Sequence, residues 1–173
     1  MAQRDQGVRI LTAEEGVEVV DISRDKRTDL EWILEESFEG WYLRHSKGTL
    51  REIDAVRAAV SSGSALGLIM TKTLREGPGY VYYIAVARAS RRKGVARLLL
   101  DDALRRFKQA NIVEVFAGVV EDNEPSELLF TSAGFSRTSF GEVSRGYGLL
   151  HTLNMYNAMR VVPGEILLSK RIV

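Results

Sequence analysis

Four arginines and a lysine crowd one short stretch of this 173-residue chain. They are Arg88, Arg91, Arg92, Lys93 and Arg97, and no acidic residue occurs from 88 through 100. Gly94 sits among them and allows a close approach of backbone to a ligand. An apolar periodic run begins directly behind it, so the basic turn opens a helix. The first N–H groups of a helix lack internal partners and carry the positive end of its dipole. A strand, a basic glycine-containing turn and a helix start together make a cradle for phosphate. A solvated basic loop is the plainer reading, and the placement at a strand-to-helix junction favours the cradle. Two familiar phosphate loops do not fit. Lys93 precedes Gly94 and Val95 follows it, which is not the Gly-Lys-Ser/Thr order of a P-loop, and the three spaced glycines of a dinucleotide fingerprint are missing. Just upstream, Tyr80, Tyr82 and Tyr83 form the second concentration of chemistry-bearing side chains. Alternation places Tyr80 and Tyr82 on one face of a strand. A phenol of pKa near ~10 is a weak base and is better suited to holding a water. Ordinary packing is the competing reading of this cluster.

These residues need elements to position them. Val17–Ile22 reads as a first strand, Ala65–Leu74 and Tyr80–Ala87 as strong strands, and Ile112–Val120 as another. Residues 56–61 stay open between a helix end and a strand. Ser61–Ser64 is a turn. Thr28 with Glu31, and Thr49 with Glu52, have the spacing of capping boxes. The first predicts a helix carrying Leu30, Ile33, Leu34 and Phe38, and the second a helix starting at Leu50 and Ile53. Ala96, Leu99, Leu100, Ala103, Leu104, Phe107 and Ala110 share one helical face. Asn123 and Pro125 open a short helix that Gly134 closes. The strand, helix, strand order around the basic turn implies a right-handed crossover between neighbouring parallel strands. Residues 135–145 read as a strand, Leu149–Arg160 as a helix and Glu165–Ile172 as a last strand.

Two motifs at this separation resemble those of the GNAT superfamily of N-acetyltransferases. Arg91, Gly94 and Ala96 match that family's pyrophosphate loop, Arg/Gln-x-x-Gly-x-Gly/Ala. Asn123, Phe130, Gly134 and Phe135 match its following Asn, short helix and Gly-Phe. The clear likeness covers Tyr80 to Phe135, with a weaker echo at Gly63, Leu66 and Gly67. It implies an α/β fold with a mixed, mostly antiparallel sheet, a splayed parallel central pair and helices on both faces. It also implies acetyl-CoA as cosubstrate and acyl transfer to an amine, without a metal. By that resemblance the N–H groups of Arg92, Lys93, Gly94, Val95, Ala96 and Arg97, with Arg91, hold the pyrophosphate. Ile84, Ala85 and Val86 pair with the pantetheine arm as an added strand. Asn123 touches the cofactor or braces the splayed strands, and Phe130 joins the cofactor contacts.

The chain departs from the pattern in three places. The short-helix tyrosine that protonates the leaving thiolate in many members is Phe130 here. The strand glutamate that serves as base in histone-type members corresponds to Tyr80. Tyr80, Tyr82 and Glu39 are therefore the candidates for work on the amine, with Glu121 as a further carboxylate. About fifteen extra residues, 147–161, precede the last strand and read as a lid over the acceptor site or a dimer contact. Without the phenol, general-acid help typically worth ~10²–10⁴ in rate is lost. A thiol of pKa near ~8.5 still leaves far more readily than an alcohol. A catalytically weak CoA-binding module is the alternative to an enzyme.

Composition bounds the rest. A 45% apolar, 27% charged chain of this length makes one domain with a full core. Residues 1–8 are expected to be flexible. There is no cysteine, and His45 and His151 are the only histidines, which excludes thiolate chemistry and leaves little for a histidine-rich metal site. A net charge of +1 argues against a wholesale nucleic-acid binder. No apolar run approaches a membrane span, and the polar start disfavours secretion, so a cytoplasmic location is expected. The resemblance puts the first two helices and their loop at the border of the acceptor site, and residues 10–40 hold ten acidic and three basic residues, so it implies a cationic amine, small or peptidic. Trp41, Tyr42 and Phe38 beside Glu39 are candidates to line an acceptor pocket, with core packing the competing reading of Phe38.

Overall fold

The computed structural model describes residues 16–172; the segment expected to be flexible, 1–8, lies outside them. Seven strands form one sheet: β1 (Val17–Asp21), β2 (Ala55–Ser61), β3 (Ser64–Thr73), β4 (Gly79–Val86), β5 (Glu114–Val120), β6 (Ser136–Thr138) and β7 (Glu165–Arg171), in the order β1-β2-β3-β4-β5-β7-β6. Every neighbouring pair is antiparallel except β4 and β5. That parallel pair meets at only three positions, Gly79–Val115, Tyr80–Phe116 and Val81–Ala117. Beyond them the strands diverge, while β4 continues against β3 as far as Val86 and β5 against β7 as far as Val120. The centre of the sheet is a fork, as the expected fold class requires.

Helices cover both faces: α1 (Glu31–Glu35), α2 (Gly40–Glu52), α3 (Val95–Gln109), α4 (Glu124–Ser132), α5 (Phe140–Tyr147) and α6 (Leu149–Met159). On one face the apolar stripe of α3 buries Leu99, Leu100, Ala103 and Phe107 against Ile69, Val81, Val115 and Ala117, and Phe130 and Phe135 join the same cluster. On the other face two clusters sit side by side. Ile33, Leu34 and Leu50 of α1 and α2 pack on Ala58, Leu68, Met70 and Ala85. Val143, Met155 and Met159 of α5 and α6 pack on Tyr80, Phe116 and Leu167. Tyr82 touches both clusters, so a groove between α2 and α6 runs over it.

Buried charge fastens the scaffold. Arg27 lies in the 3-10 turn Arg24–Leu30 and donates to the carbonyls of Leu50 (3.2 Å) and Ile53 (2.6 Å), which end α2. A cation there meets the negative end of the helix dipole. Arg57 of β2 pairs with Asp102 of α3 (2.6 Å) and Asp21 of β1 (2.7 Å), and donates to the Val19 carbonyl.

Residues 56–61, which the sequence leaves open between a helix end and a strand, belong to β2. Several other local expectations are corrected. Thr28 and Glu31 form no cap. The Glu31 carboxylate accepts instead from Arg51 (2.6 Å) and pairs with Lys47 (3.4 Å) across the turn. The first helix stops at Glu35, short of Phe38. Thr49 is in the last turn of α2, not at a helix start, because its hydroxyl donates back to the His45 carbonyl at 2.9 Å. The strand expected over 135–145 is only Ser136–Thr138. A capping box then starts α5: the Ser139 hydroxyl accepts from the Glu142 N–H (3.3 Å), and the Glu142 carboxylate from the Ser139 N–H (2.8 Å).

Candidate active site

The basic turn has the backbone geometry of an anion cradle. Arg92 (φ 64°) and Gly94 (φ 81°) are left-handed while Arg91 between Ser90 and Arg92 is extended. A turn of mixed handedness rolls its N–H groups to a common side. Gly94 is the N-cap of α3 and offers no side chain, so the N–H groups of Val95, Ala96 and Arg97 have no capping partner. Arg92 and Lys93 are exposed and, among the described residues, form no ion pair. The side chains of Arg91 and Arg97 are tied down. Arg91 donates to the carbonyls of Val86 (3.1 Å) and Glu36 (2.6 Å), and Arg97 pairs with Asp101 (2.9 Å). The Arg88 N–H donates to the Glu36 carboxylate at 2.6 Å. Arg91 therefore braces the turn against α1 and the end of β4.

Upstream of the turn, Ile84, Ala85 and Val86 hydrogen-bond to β3 on one side only; their other edge faces the opening of the fork. Asn123 caps α4, its side-chain carbonyl accepting from the Ser126 N–H at 3.2 Å. Phe130 is buried. The Phe135 N–H donates to the Phe130 carbonyl (3.1 Å) and the Gly134 N–H to that of Thr131 (2.9 Å). The two phenyl rings meet edge-on at 5.1 Å. This is a Schellman closure with its apolar contact, and it gives the Gly-Phe pair and Phe130 a structural task.

A β-bulge governs the opposite face. The β3–β4 register shifts so that Met70 pairs with Tyr83 and Thr71 with Val81, leaving Tyr82 as the extra residue. A bulge re-aims the side chains around it. As a result Tyr80, Tyr82 and Tyr83 all face α2 and α6. Alternation along β4 had grouped only the first two. Tyr80 is 3% exposed, and burial followed by the Glu165 charge pushes its phenol far above the ordinary range. Tyr80 and Tyr82 pack edge-on at 4.6 Å, and the Tyr82 hydroxyl donates to the Ala158 carbonyl in α6. A polar cleft of about 470 Å³, lined by Glu52, Lys72, Tyr82, Asn157 and Arg160, opens beside them. Helix α6, from the extra segment, is one wall of the groove.

Helix α2 supplies the facing wall. Its Trp41 stacks on His45 (4.8 Å), and His45 Nδ1 lies 2.6 Å from the Tyr83 hydroxyl. Arg160 approaches His45 Nε2 at 3.2 Å. Guanidinium can only donate, so Nε2 is the acceptor and Nδ1 carries the proton. His45 is thus neutral and donates to Tyr83, whose own hydroxyl hydrogen is left to point elsewhere. Burial, then Arg160, lowers the His45 pKa below its ordinary 6.5, in keeping with this assignment. Burial, with Glu165 second, pushes the Tyr83 phenol up.

Glu165, at the start of β7, reaches the same place. One carboxylate oxygen accepts from the Tyr42 hydroxyl (3.3 Å) and the other from the Val162 N–H (3.1 Å). Sequence reading placed Tyr42 here and named Tyr83 in the tyrosine cluster without assigning its face, but missed His45, Arg160 and Glu165. Glu39 is exposed ahead of α2, and among the described residues it makes no side-chain bond to the tyrosine cluster. His151 is exposed, as expected for the late helix. Among the described residues no helix is long and apolar enough to cross a membrane, and no cluster of three potential metal ligands occurs.

A family model described as Acetyltransferase (GNAT) family matches residues 21–135. The chain belongs to the GNAT acetyltransferase family. Solved structures with the same fold include an IAA acetyltransferase from Bacillus cereus, 19% identical, with a TM-score of 0.66 over 91% of this chain and 100% of that one. PaiA N-acetyltransferase from Thermoplasma acidophilum, in complex with coenzyme A, is 14% identical with a TM-score of 0.68 over 91% and 99%. The ribosomal-protein-S18-alanine N-acetyltransferase of Escherichia coli is 13% identical with a TM-score of 0.67 over 90% and 94%. At these identities the likeness is one of fold. A search of curated proteins finds no match. Membership makes acetyl transfer the activity class; the acceptor is not given by it.

Proposed function

We propose that the protein is an acetyl-CoA-dependent N-acetyltransferase that moves the acetyl group to a primary amine by direct attack in a ternary complex. The carrying observation is the continuity of unused donors along one path. The free edge of β4 runs through Ile84–Val86 into the turn at Arg92–Gly94, and then into the uncapped start of α3. An extended amide-bearing arm that ends in a pyrophosphate suits this path. Its amides pair with the strand edge and its phosphates meet backbone N–H groups, Arg92 and Lys93. On this reading, β4 N–H groups at the fork stabilise the oxyanion, a contribution typically worth ~10²–10³ in rate. Tyr80 and Tyr82 shape the acceptor face from the sheet, and Glu39 stands at its outer rim. Phe130 has no proton to give, so the thiolate departs with solvent as its acid.

Calorimetric titration with acetyl-CoA tests this on wild type, Gly94→Asn and Gly94→Asp. Asn and Asp tolerate left-handed backbone better than other side chains, and a Cβ at Gly94 meets nothing within 4 Å, so both variants should fold and share the same backbone strain. Micromolar binding by wild type, retained in large part by Asn and abolished by Asp, is expected. Absence of binding by folded wild type overturns the reading. The buried Phe130 favours one second reading, a CoA-binding module with little turnover. Cofactor binding without acetylation of any amine would establish it.

A further inference from the structure

At the mouth of the fork, on the α2/α6 face, the absence of one side chain leaves room for the Tyr80 hydroxyl and the Glu165 carboxylate. Gly118 is the first β5 residue past the last parallel pair, Val81–Ala117. A Cβ built there would stand 2.8 Å from the Tyr80 hydroxyl and 3.5 Å from a Glu165 carboxylate oxygen. Glu165 reaches this gap because it pairs with Val120 at the far end of β5. Three phenols, Tyr42, Tyr80 and Tyr83, each feel its charge. Yet among the described residues no lysine, arginine or histidine forms an ion pair with it. A half-buried carboxylate without a cation, ringed by aromatic rings at the point where two strands part, suits an ammonium group of a second substrate.

We propose that Glu165 receives the acceptor's ammonium group and takes a proton from it, supplying from β7 the base that β4 lacks. The inference rests on the acetyltransferase reading. In the step, an ammonium R–NH3+ gives one proton to a Glu165 oxygen. The freed nitrogen pair forms a bond to the thioester carbonyl carbon. The C–S bond then breaks with its electron pair on sulfur, the nitrogen sheds a second proton and the sulfur is protonated. The sum is amide, thiol and one proton released to solvent through Glu165. The Tyr42 hydroxyl holds the carboxylate oxygen in place, making Tyr42 a positioning residue. The other titratable or charged groups facing this space are His45 of α2, Tyr80, Tyr82 and Tyr83 of β4, and Arg160 after α6.

The test compares wild type, Glu165→Gln and Tyr42→Phe. Each is checked by thermal melting and acetyl-CoA titration, then assayed by thiol release with 2-phenylethylamine, spermidine and a tetrapeptide with a free N-terminus. Glu165→Gln should bind acetyl-CoA as wild type does and lose ~10²–10⁴ in kcat/KM near neutral pH. The deficit should shrink steadily as pH rises and free amine replaces ammonium. Tyr42→Phe should lose far less and keep the wild-type pH profile. A Glu165→Gln loss that is constant with pH, a rise in KM alone, or no loss overturns the proposal. So does wild type that binds acetyl-CoA but neither binds nor acetylates any of the three amines. Wild type that does not bind acetyl-CoA overturns the underlying reading instead.

Discussion

The two sides of the β4 strand are built from different materials. Toward α3 the strand offers backbone: an unpaired edge, a turn with two left-handed residues and an uncapped helix start. Toward α2 and α6 it offers side chains: three tyrosines, a histidine held in one tautomer, an arginine and a carboxylate. The backbone side comes from one continuous stretch, residues 84–97. The side-chain side draws on α2, β4, the end of α6 and β7. A site made of main-chain groups tolerates sequence change at most positions and is anchored by a glycine or two. A site made of side chains changes with single substitutions, which is how one fold serves different acceptors.

If the division holds, changes on one side leave the other intact. Gly94→Asp should break it most sharply, weakening acetyl-CoA binding by ~100-fold or more through charge at a helix N-terminus and an occupied cradle. Its melting temperature should match that of Gly94→Asn, which carries the same strain at φ 81°. Calorimetry paired with a thermal scan reads both.

Gly118→Ala should act in reverse. The added methyl must displace the Tyr80 hydroxyl, an overpacking that costs about 1–3 kcal/mol. Turnover should fall by roughly tenfold if the fork mouth receives the amine, in line with the sensitivity of reactive geometry to small displacements. Cofactor affinity should stay within twofold. Equal losses in cofactor binding and turnover would show that the two sides are one unit.

A pH series sharpens the acceptor side further. His45 is held neutral, with its pKa below 6.5. Below pH 6.5 the unfolded chain binds a proton that the folded chain refuses, so stability falls as pH drops toward the folded value. His45→Asn should remove that part of the acid sensitivity from the melting curve. An unchanged curve would mean the Arg160–His45–Tyr83 chain does not hold in solution.

The smallest effect expected is that of Phe130→Tyr. The ring is 5% exposed and committed to Phe135. A hydroxyl there should cost about 1–3 kcal/mol if buried without a partner. It should raise turnover only if it reaches the leaving sulfur, which a rate assay at saturating acetyl-CoA decides.

The same contrast explains what the sequence made legible. Arg91, Gly94 and Ala96 could be read because a cradle of N–H groups imposes residue types at fixed local spacing. The parallel adjacency of β4 and β5 followed from the crossover between them, and the rest of the sheet from the family resemblance. Tyr83 was named with Tyr80 and Tyr82 but not placed on their face, because a one-residue bulge breaks the alternation on which strand faces are judged. Glu165 escaped because its importance comes from Gly118, far away in the chain, having no side chain. Capping patterns misled for a related reason. Thr49 and Ser139 both stand three residues before a glutamate. The Thr49 hydroxyl turns back to the preceding helical turn, whereas Ser139 and Glu142 exchange bonds across a true helix start. Tertiary surroundings, not spacing, decide between those uses.

The fork has a consequence for what can enter it. A free strand edge is ordinarily a hazard, since it invites any passing strand to pair and aggregate. Here the open edge of β4 is recessed, with Ile84 and Val86 beneath the α3 layer and Ala85 beneath α1 and α2. A polypeptide strand carries side chains on both faces and needs about 10 Å of clearance to pack between layers. A slender unbranched chain needs far less. Cover on both faces thus favours a slender ligand over a second polypeptide strand at the unpaired edge in the centre of the sheet.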